Sequence, residues 1–291
     1  MQGGARSTSA TGREGEYFGH THVTLIEPRR GWARLDLREL WAYRELLWVL
    51  VLRDVRVRYQ QTILGGAWAI LRPLLAVGIF SVVFGKVAKL PSEGVPYPLF
   101  ALAGVLPWTF FSSAVAGGAE SLVGSQHLVS KVYFPRLIIP LASIGVALVD
   151  FAVGLLVLVG VAAYYGAALS TSLLMLPILL VLLVFSTVGV TTVLSAANVA
   201  YRDVRHIVPF LLQVWLYATP VVYPASMFPE RYRQWLYLNP AAGPVEAFRA
   251  VILGRPVDSS GLALSLSVSA VLLVGGLAYF SRVERRFADI I

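Results

Sequence analysis

Long apolar runs separated by short polar breaks make up most of this 291-residue chain. Six runs are of membrane-spanning or near-spanning length, and they cover residues 63–84, 97–118, 137–164, 173–199, 207–222 and 262–280. An apolar helix suits lipid because it satisfies its backbone hydrogen bonds within itself. The pattern therefore predicts an all-α membrane protein with six transmembrane helices.

The segment before the first run has a helical pattern that does not suit a membrane span. Between residues 35 and 60, apolar positions recur at steps of three, four and seven beside a polar stripe. The charged run Arg53-Asp54-Val55-Arg56 would be costly inside a bilayer. We expect an amphipathic interface helix over residues 35–60 that lies in the membrane surface. A mobile cytosolic tail, rich in Gly, Ser, Thr and Arg, is predicted for residues 1–34.

The polar break over residues 119–136 separates two long apolar runs in the middle of the chain. Residues 121–133 are enough for a short helix, and Pro135 suits the first turn of the helix that follows. An amphipathic break of this length offers a surface to a partner, although a basic interfacial loop anchored by aromatic residues explains it too. The candidate contact residues are Gln126, His127, Lys131, Tyr133, Phe134 and Arg136.

Residues 223–254, between the fifth and sixth runs, are too aromatic for a simple loop. Several prolines interrupt this stretch, which favours short helices that dip back into the bilayer. Irregular backbone is tolerated at that depth only inside protein or beside a water-filled cavity. We therefore predict short re-entrant helices between spans five and six.

The composition agrees with a polytopic membrane protein. The chain is 57% hydrophobic and 14% charged, whereas soluble domains contain about 25% charged residues. Its net charge of +8 arises largely from Arg residues beside apolar runs. At such positions Arg residues act as topology signals and attract anionic lipid. The charge therefore does not indicate nucleic-acid binding. With both termini in the cytosol, 17 Lys and Arg residues fall on the cytosolic side and six on the other. This asymmetry predicts cytosolic termini and a cytosolic 119–136 loop.

The sequence lacks the residues that common enzymes require. It contains no cysteine and only four His residues, so a metal centre is not expected. None of its three lysines is followed by Ser or Thr, which excludes a P-loop for ATP. The acidic residues are thinly spread, and transport is therefore the predicted class, without a catalytic or cofactor-binding site.

Two ionisable residues lie inside apolar runs. Asp150 sits near the middle of the third run, where an ionisable group suggests function, although a carboxylate hydrogen-bonded to a neighbouring helix explains it too. Arg72 lies roughly 13 Å into the first run at 1.5 Å per residue. It either reaches back to the cytosolic headgroups or contacts an anionic substrate.

Aromatic stripes mark two of the predicted spans. In the second span, helical spacing places four residues on one face: Tyr97, Phe100, Trp108 and Phe111. In the fifth span, it places three residues on one face: Phe210, Gln213 and Tyr217. Packing between helices or against lipid accounts for both stripes.

Four blocks of the sequence, taken in chain order, resemble the ABC transporter type-2 permease family and its polysaccharide-export branch. They are RDVRVRYQQTILGGAWAILRPLL (53–75), SKVYFPRLIIPLAS (130–143), NVAYRDVRHIVPFLLQVWLYATPVVYP (198–224) and NPAAGPVEAFRAVILG (239–254). The resemblance implies an ATP-driven exporter in the bacterial inner membrane that moves a lipid-linked, O-antigen-like polysaccharide from the cytosolic to the outer face. It also implies a homodimer with two separate nucleotide-binding subunits, which bind ATP and Mg²⁺, so no cofactor is expected in this chain.

The same resemblance assigns roles to segments. Residues 35–59 become the cytosolic interface helix, residues 121–133 the coupling helix in a cleft of the ATPase, and residues 223–254 the re-entrant helices near the periplasmic mouth. The path is expected between the two copies, lined by spans one, two and five, which favours the aromatic stripes as path residues. No role for Arg72 or Asp150 follows from it.

Two other transport classes remain open from the sequence. A related type-2 exporter of a lipid or drug would need a purely apolar path, against which the aromatic stripes count. A proton-coupled carrier could use Asp150, but such carriers usually show inverted repeats and several buried ionisable groups, and neither is evident.

Overall fold

The computed structural model describes residues 37–60, 66–166 and 171–284. Within these ranges the secondary structure is helical, and the predicted tail over residues 1–34 lies outside them. The α-helices of the described ranges are α1 Leu37–Ala42, α2 Arg44–Gln60, α3 Ala67–Phe80, α4 Tyr97–Gly124, α5 Gln126–Lys131, α6 Ile138–Tyr164, α7 Leu176–Ala200, α8 Val204–Ala218, α9 Glu230–Leu236, α10 Ala242–Ile252 and α11 Ser259–Glu284. The prediction of an all-helical membrane protein is confirmed.

Five helical stretches in the described ranges are long and apolar enough to cross a membrane. They are Ala67–Val87, where α3 continues as a π-helix, and Tyr97–Gly124, Ile138–Tyr164, Ser172–Ala200 and Ser259–Glu284. The predicted fifth span corresponds to α8, which has 15 residues and is therefore about 22 Å long, short of a hydrocarbon core about 30 Å thick. Pro220 ends α8 early, because the residue before a proline avoids the helical region, and Thr219 is accordingly extended.

The helix α4 occupies the centre of the subunit. It packs against α3, α6, α7, α8 and α10, and 78% of its most apolar 18-residue window is buried. Glycines permit this close contact: at Gly118 and Gly154 a Cβ atom would collide with Thr191 and Leu106. Most of the α4 surface is therefore protein interior, and only a narrow side of it is open.

The predicted interface helix forms as two helices, α1 and α2, which meet at Tyr43. On α2, Val51 is buried against α6 at Gly145, where there is no room for a side chain. Trp41 and Trp48 are 69% and 61% exposed. Exposed tryptophans on a helix outside the spans suit the headgroup layer of a membrane.

The central polar break differs from the predicted single helix over residues 121–133. The helix α4 continues to Gly124, six residues beyond the predicted end of the second span, because nothing in this stretch breaks a helix and Leu122 is buried. Ser125 then leaves helical geometry with φ −110° and ψ 24°, and α5 follows as a separate helix of six residues. The segment between α4 and α6 is consequently a short, exposed corner.

The helices α7 and α11 pack against each other through small residues. At Gly276, a Cβ atom would lie 2.9 Å from the Val193 side chain and 3.0 Å from the carbonyl oxygen of Gly189. The Ser269 hydroxyl donates to the Ser186 hydroxyl at 2.8 Å in the same contact. Small residues allow such close helix packing in lipid, where no hydrophobic force drives helices together.

We expect Gly276→Ala to lower the stability of the fold by about 1–3 kcal/mol, the usual cost of overpacking. Gly275→Ala is the matched control, since a Cβ atom there meets nothing within 4 Å. Thermal unfolding of both variants in detergent provides the measurement. Equal melting temperatures for the two variants would contradict the packing argument.

Candidate functional site

The accessible side of α4 is small and polar. Between residues 109 and 121 the residues of α4 that are exposed or half-buried are Thr109, Ser112, Ser113, Ala116, Gly117, Glu120 and Ser121. Their spacing of three and four residues places them on one face of the helix. A face of hydroxyls, glycine and a carboxylate does not suit hydrocarbon, so it requires water, a ligand or protein beside it.

Two cavities, of about 700 and 820 Å³, lie along this face of α4 and share Arg58 and Ser113 in their walls. The helix α2 contributes Arg53 and Arg58, and α6 closes the other side. We call these two cavities together the polar groove. The sequence analysis missed the groove, although the four-residue spacing of Thr109, Ser113, Gly117 and Ser121 is visible in the sequence.

Asp150 is held by two residues of α2. Its carboxylate forms an ion pair with Arg58 and accepts a hydrogen bond from the Tyr59 hydroxyl. Burial, and then this hydrogen bond, raise the pKa of Tyr59 to about 12, so its proton remains available for donation at neutral pH. Of the two alternatives for Asp150, the structure shows the carboxylate bonded to a neighbouring helix, which is α2.

Arg72 lies in the wall of the same cavity as Arg58 and Asp150. It is exposed, and its guanidinium carbon sits 5.9 Å from the centre of the Trp68 ring. No carboxylate in the described part of the chain is within ion-pair distance of it. Arg72 is therefore a cation at the edge of the groove that forms no ion pair with the described residues.

The aromatic stripe of α4 faces the interior of the subunit. Phe111 is 0% exposed and packs edge-on against Trp215 of α8 at 5.3 Å between ring centres. Phe100 is also fully buried, Trp108 is 6% exposed, and Tyr97 is half-buried and donates a hydrogen bond to the carbonyl of Val222. That this stripe lines the path stays a prediction. In this conformation the stripe points away from the open face of α4, because Phe111 follows Thr109 by two residues and lies roughly 160° away from it around the helix.

The stripe of α8 is open along its whole length. Phe210 is 68% exposed, Tyr217 is 57% exposed, and Gln213 between them is exposed as well. The opposite side of α8 carries Trp215, which packs on α4 and donates to Asn239 at 2.8 Å. Of the two predicted stripes, only that of α8 can contact another molecule in this conformation.

The candidate partner-contact residues divide into two groups. Gln126, His127, Lys131 and Tyr133 are exposed on and beside α5. Phe134 is buried with the apolar residues of α2 and α6. Arg136 bonds to Glu284 at the end of α11 through both its backbone nitrogen and its guanidinium group. Phe134 and Arg136 thus fix the segment, and the other four residues present a surface.

A fully buried arginine organises the opposite end of the subunit. Arg249 of α10 is 1% exposed and pairs with Glu246 at 2.7 Å. It donates to the carbonyl oxygens of Pro220, Val221 and Tyr223. Its guanidinium carbon also lies 4.2 Å from the centre of the Phe100 ring of α4. Arg249 thereby fixes the segment that follows α8 onto α4, a contact that the sequence analysis did not predict.

Comparison with known proteins gives consistent matches along most of the chain. The model of the family described as ABC-2 type transporter matches residues 45–253. The O-antigen export system permease protein RfbA of Myxococcus xanthus is 32% identical over 257 residues, which is 87% of this chain and 98% of that protein. RfbA of Klebsiella pneumoniae is 28% identical over 85% of this chain and 95% of its own length. The polysialic acid transport protein KpsM of Escherichia coli is 24% identical over 81% and 92%.

We expect Arg249→Met to destabilise the protein by about 3–5 kcal/mol, because it leaves Glu246 without its cation and three carbonyl groups without their donor. Arg231→Met on the exposed side of α9 is the matched control. Thermal unfolding in detergent compares the two variants. A melting temperature for Arg249→Met equal to that of the control would show that the buried arginine is dispensable.

Proposed function

We infer that this chain, which belongs to the ABC-2 type transporter family, is the membrane-spanning permease subunit of an exporter of polysaccharide. The relatives named above are permease and transport proteins for O-antigen and polysialic acid. The polar face of α4 carries the proposal within this chain, because it provides hydroxyls and glycines inside an otherwise apolar bundle. The hydroxyls can form interchangeable hydrogen bonds with sugar hydroxyls, and Gly117 leaves room beside them.

The translocation path is proposed between two copies of the chain. Each copy would contribute the exposed stripe of α8, which contains Phe210, Gln213 and Tyr217. Sugar rings stack on aromatic faces through their C–H groups, and this contact tolerates sliding. Phe100, Trp108 and Phe111 would support the path from behind, since they pack within the subunit.

The exposed corner around α5 is the proposed contact with a separate ATPase subunit. Family membership implies that ATP and Mg²⁺ bind to that partner, and the described residues contain no group of three or more His, Asp or Glu side chains that could hold a metal ion. The charge asymmetry of the sequence supports a cytosolic location for α5 and both termini, and the relatives support the inner membrane of a bacterium. The substrate would then be a lipid-linked polysaccharide that moves from the cytosolic to the outer face.

Two observations weigh against the other transport classes. A lipid or drug exporter is expected to expose an apolar path, whereas the accessible face of α4 is polar. A proton-coupled carrier usually has several buried ionisable groups along its path, whereas Asp150 is held in place by Arg58 and Tyr59.

A larger side chain in the polar groove is expected to block export of the glycan. Gly117→Leu fills space beside α4 and should reduce export of lipid-linked glycan in cells by about an order of magnitude or more, since packed interiors leave little spare volume. Its ATP hydrolysis should continue when the partner is present. Gly275→Leu on α11, at a site with open space, is the control. Unchanged export by Gly117→Leu would reject the groove as part of the path.

Single cysteines in this cysteine-free chain add a direct readout for the same prediction. Water-soluble thiol reagents should label Thr109→Cys and Ser113→Cys, and should leave Phe111→Cys unlabelled, because Phe111 is fully buried. Labelling of the cysteine at position 111 alone would show that the opposite face of α4 lines the path.

The α5 corner generates a separate prediction about energy coupling. Lys131→Glu combined with Tyr133→Ala should abolish export and leave the melting temperature unchanged, because both side chains are exposed. Arg136→Glu should lower the melting temperature instead, since it breaks the contact with Glu284. Arg205→Glu, at an exposed position on α8, is the control for a charge reversal outside the corner. Normal export by the Lys131 and Tyr133 double variant would contradict the assignment.

A further inference from the structure

One cavity of the polar groove combines two arginines with a single carboxylate. Its volume is about 700 Å³, and it lies where α2, α3, α4 and α6 meet. Arg58 and Arg72 are its cations, and Asp150 is its anion. The ionised side chains in its wall therefore sum to one positive charge, and a bound anion would balance it.

The cavity also holds hydrogen-bond donors that form no hydrogen bond within the described part of the chain. Arg58 contacts Asp150 through one of its terminal nitrogens, and a guanidinium group has five N–H donors. Arg72 has no carboxylate partner among the described residues, and the hydroxyls of Thr109 and Ser113 donate to no described residue. Guanidinium groups in a fixed fork match the oxygens of a phosphate.

The remaining walls of the cavity are apolar. They include Leu106, Phe110, Phe151 and the indole of Trp68. A free phosphate ion would leave this surface unused, whereas a lipid would cover it with hydrocarbon and place its phosphate at the arginines. The combination of a cationic corner and apolar walls fits an anionic lipid.

We propose that this cavity binds the phosphate group of an anionic lipid, with Arg58 and Arg72 as its ligands. If the proposed function holds, this lipid is the phosphate-bearing carrier of the glycan. The carrier's phosphate would lie beside Thr109 and Ser113, and the sugar chain would continue along Gly117 and the rest of the polar groove. Arg72 thus gains the role of an anion ligand.

A cysteine in the cavity wall tests the proposal. Ala69 lines the cavity and is half-buried, so Ala69→Cys adds one thiol to the cysteine-free full-length chain. The protein is placed in phosphatidylcholine nanodiscs, and the rate of labelling by a water-soluble maleimide is measured. Polyprenyl diphosphate, phosphatidylglycerol or uncharged polyprenol is added at equal mole fraction in separate arms. We expect polyprenyl diphosphate to slow labelling severalfold and polyprenol to leave the rate unchanged.

Variants identify the ligands of the phosphate. Arg72→Gln should abolish the protection without unfolding the protein, because Arg72 makes no ion pair in the described ranges. Arg58→Gln is combined with Asp150→Asn, so that neither partner of the ion pair is left alone, and it should also abolish protection. Arg56→Gln, on the same helix but outside the cavity, is the matched control and should retain protection.

The arms separate the possible sources of the phosphate. Stronger protection by polyprenyl diphosphate than by phosphatidylglycerol supports the carrier assignment. Equal protection by both lipids supports the phosphate site and overturns the carrier assignment in favour of bulk anionic lipid. Protection by polyprenol, or protection that survives in Arg72→Gln, overturns the proposal. If polyprenyl diphosphate fails to protect Ala69→Cys while the protein exports glycan normally, the lipid site is rejected and the proposed function stands. If polyprenyl diphosphate protects Ala69→Cys but the wild-type protein exports no glycan, the proposed function is rejected.

Discussion

The helix α4 passes through the subunit with most of its surface covered by α3, α6, α7, α8 and α10. This burial depends on glycines such as Gly118 and Gly154, which let neighbouring side chains approach the α4 and α6 backbones. Because the aromatic residues of α4 fill the covered sides, the one open side is left to hydroxyls and glycine. The polar groove is therefore a consequence of how α4 is packed, and the path and lipid site proposed above both rest on it.

Ionisable groups inside this apolar protein are paired at two levels along α4. Beside the middle of α4, Arg58 and Tyr59 hold Asp150. Near its N-terminal end, Arg249 holds Glu246 and a row of carbonyl oxygens. A buried charge without a partner carries a desolvation cost of several kcal/mol, and its partner repays that cost only with good geometry. These pairs consequently connect segments distant in the sequence: α2 to α6, and α10 to the segment after α8.

The corner between α4 and α6 shows how one segment can be both anchored and available. Phe134 inserts into the apolar cluster that α2 and α6 share, and Arg136 contacts the end of α11. These anchors hold a short exposed helix, α5, in a fixed position. A rigid corner transmits a push from a partner into α4 and α6 better than a loose loop, which fits a coupling role for Lys131 and Tyr133.

The sequence by itself determined the helical class of the protein, the place of nearly every helix and the family blocks. Lengths of apolar runs and the positions of charges carry that information locally, because lipid requires long apolar helices and excludes charge. The same periodicity showed that Tyr97, Phe100, Trp108 and Phe111 share a face. Only the tertiary structure decided which neighbours cover that face, and so turned the aromatic stripe inward and opened the side of Thr109 and Ser113. It also decided that Arg249 is buried, although nothing in its local sequence marks it as such, since the carbonyl groups that hold it come from a segment more than 20 residues away.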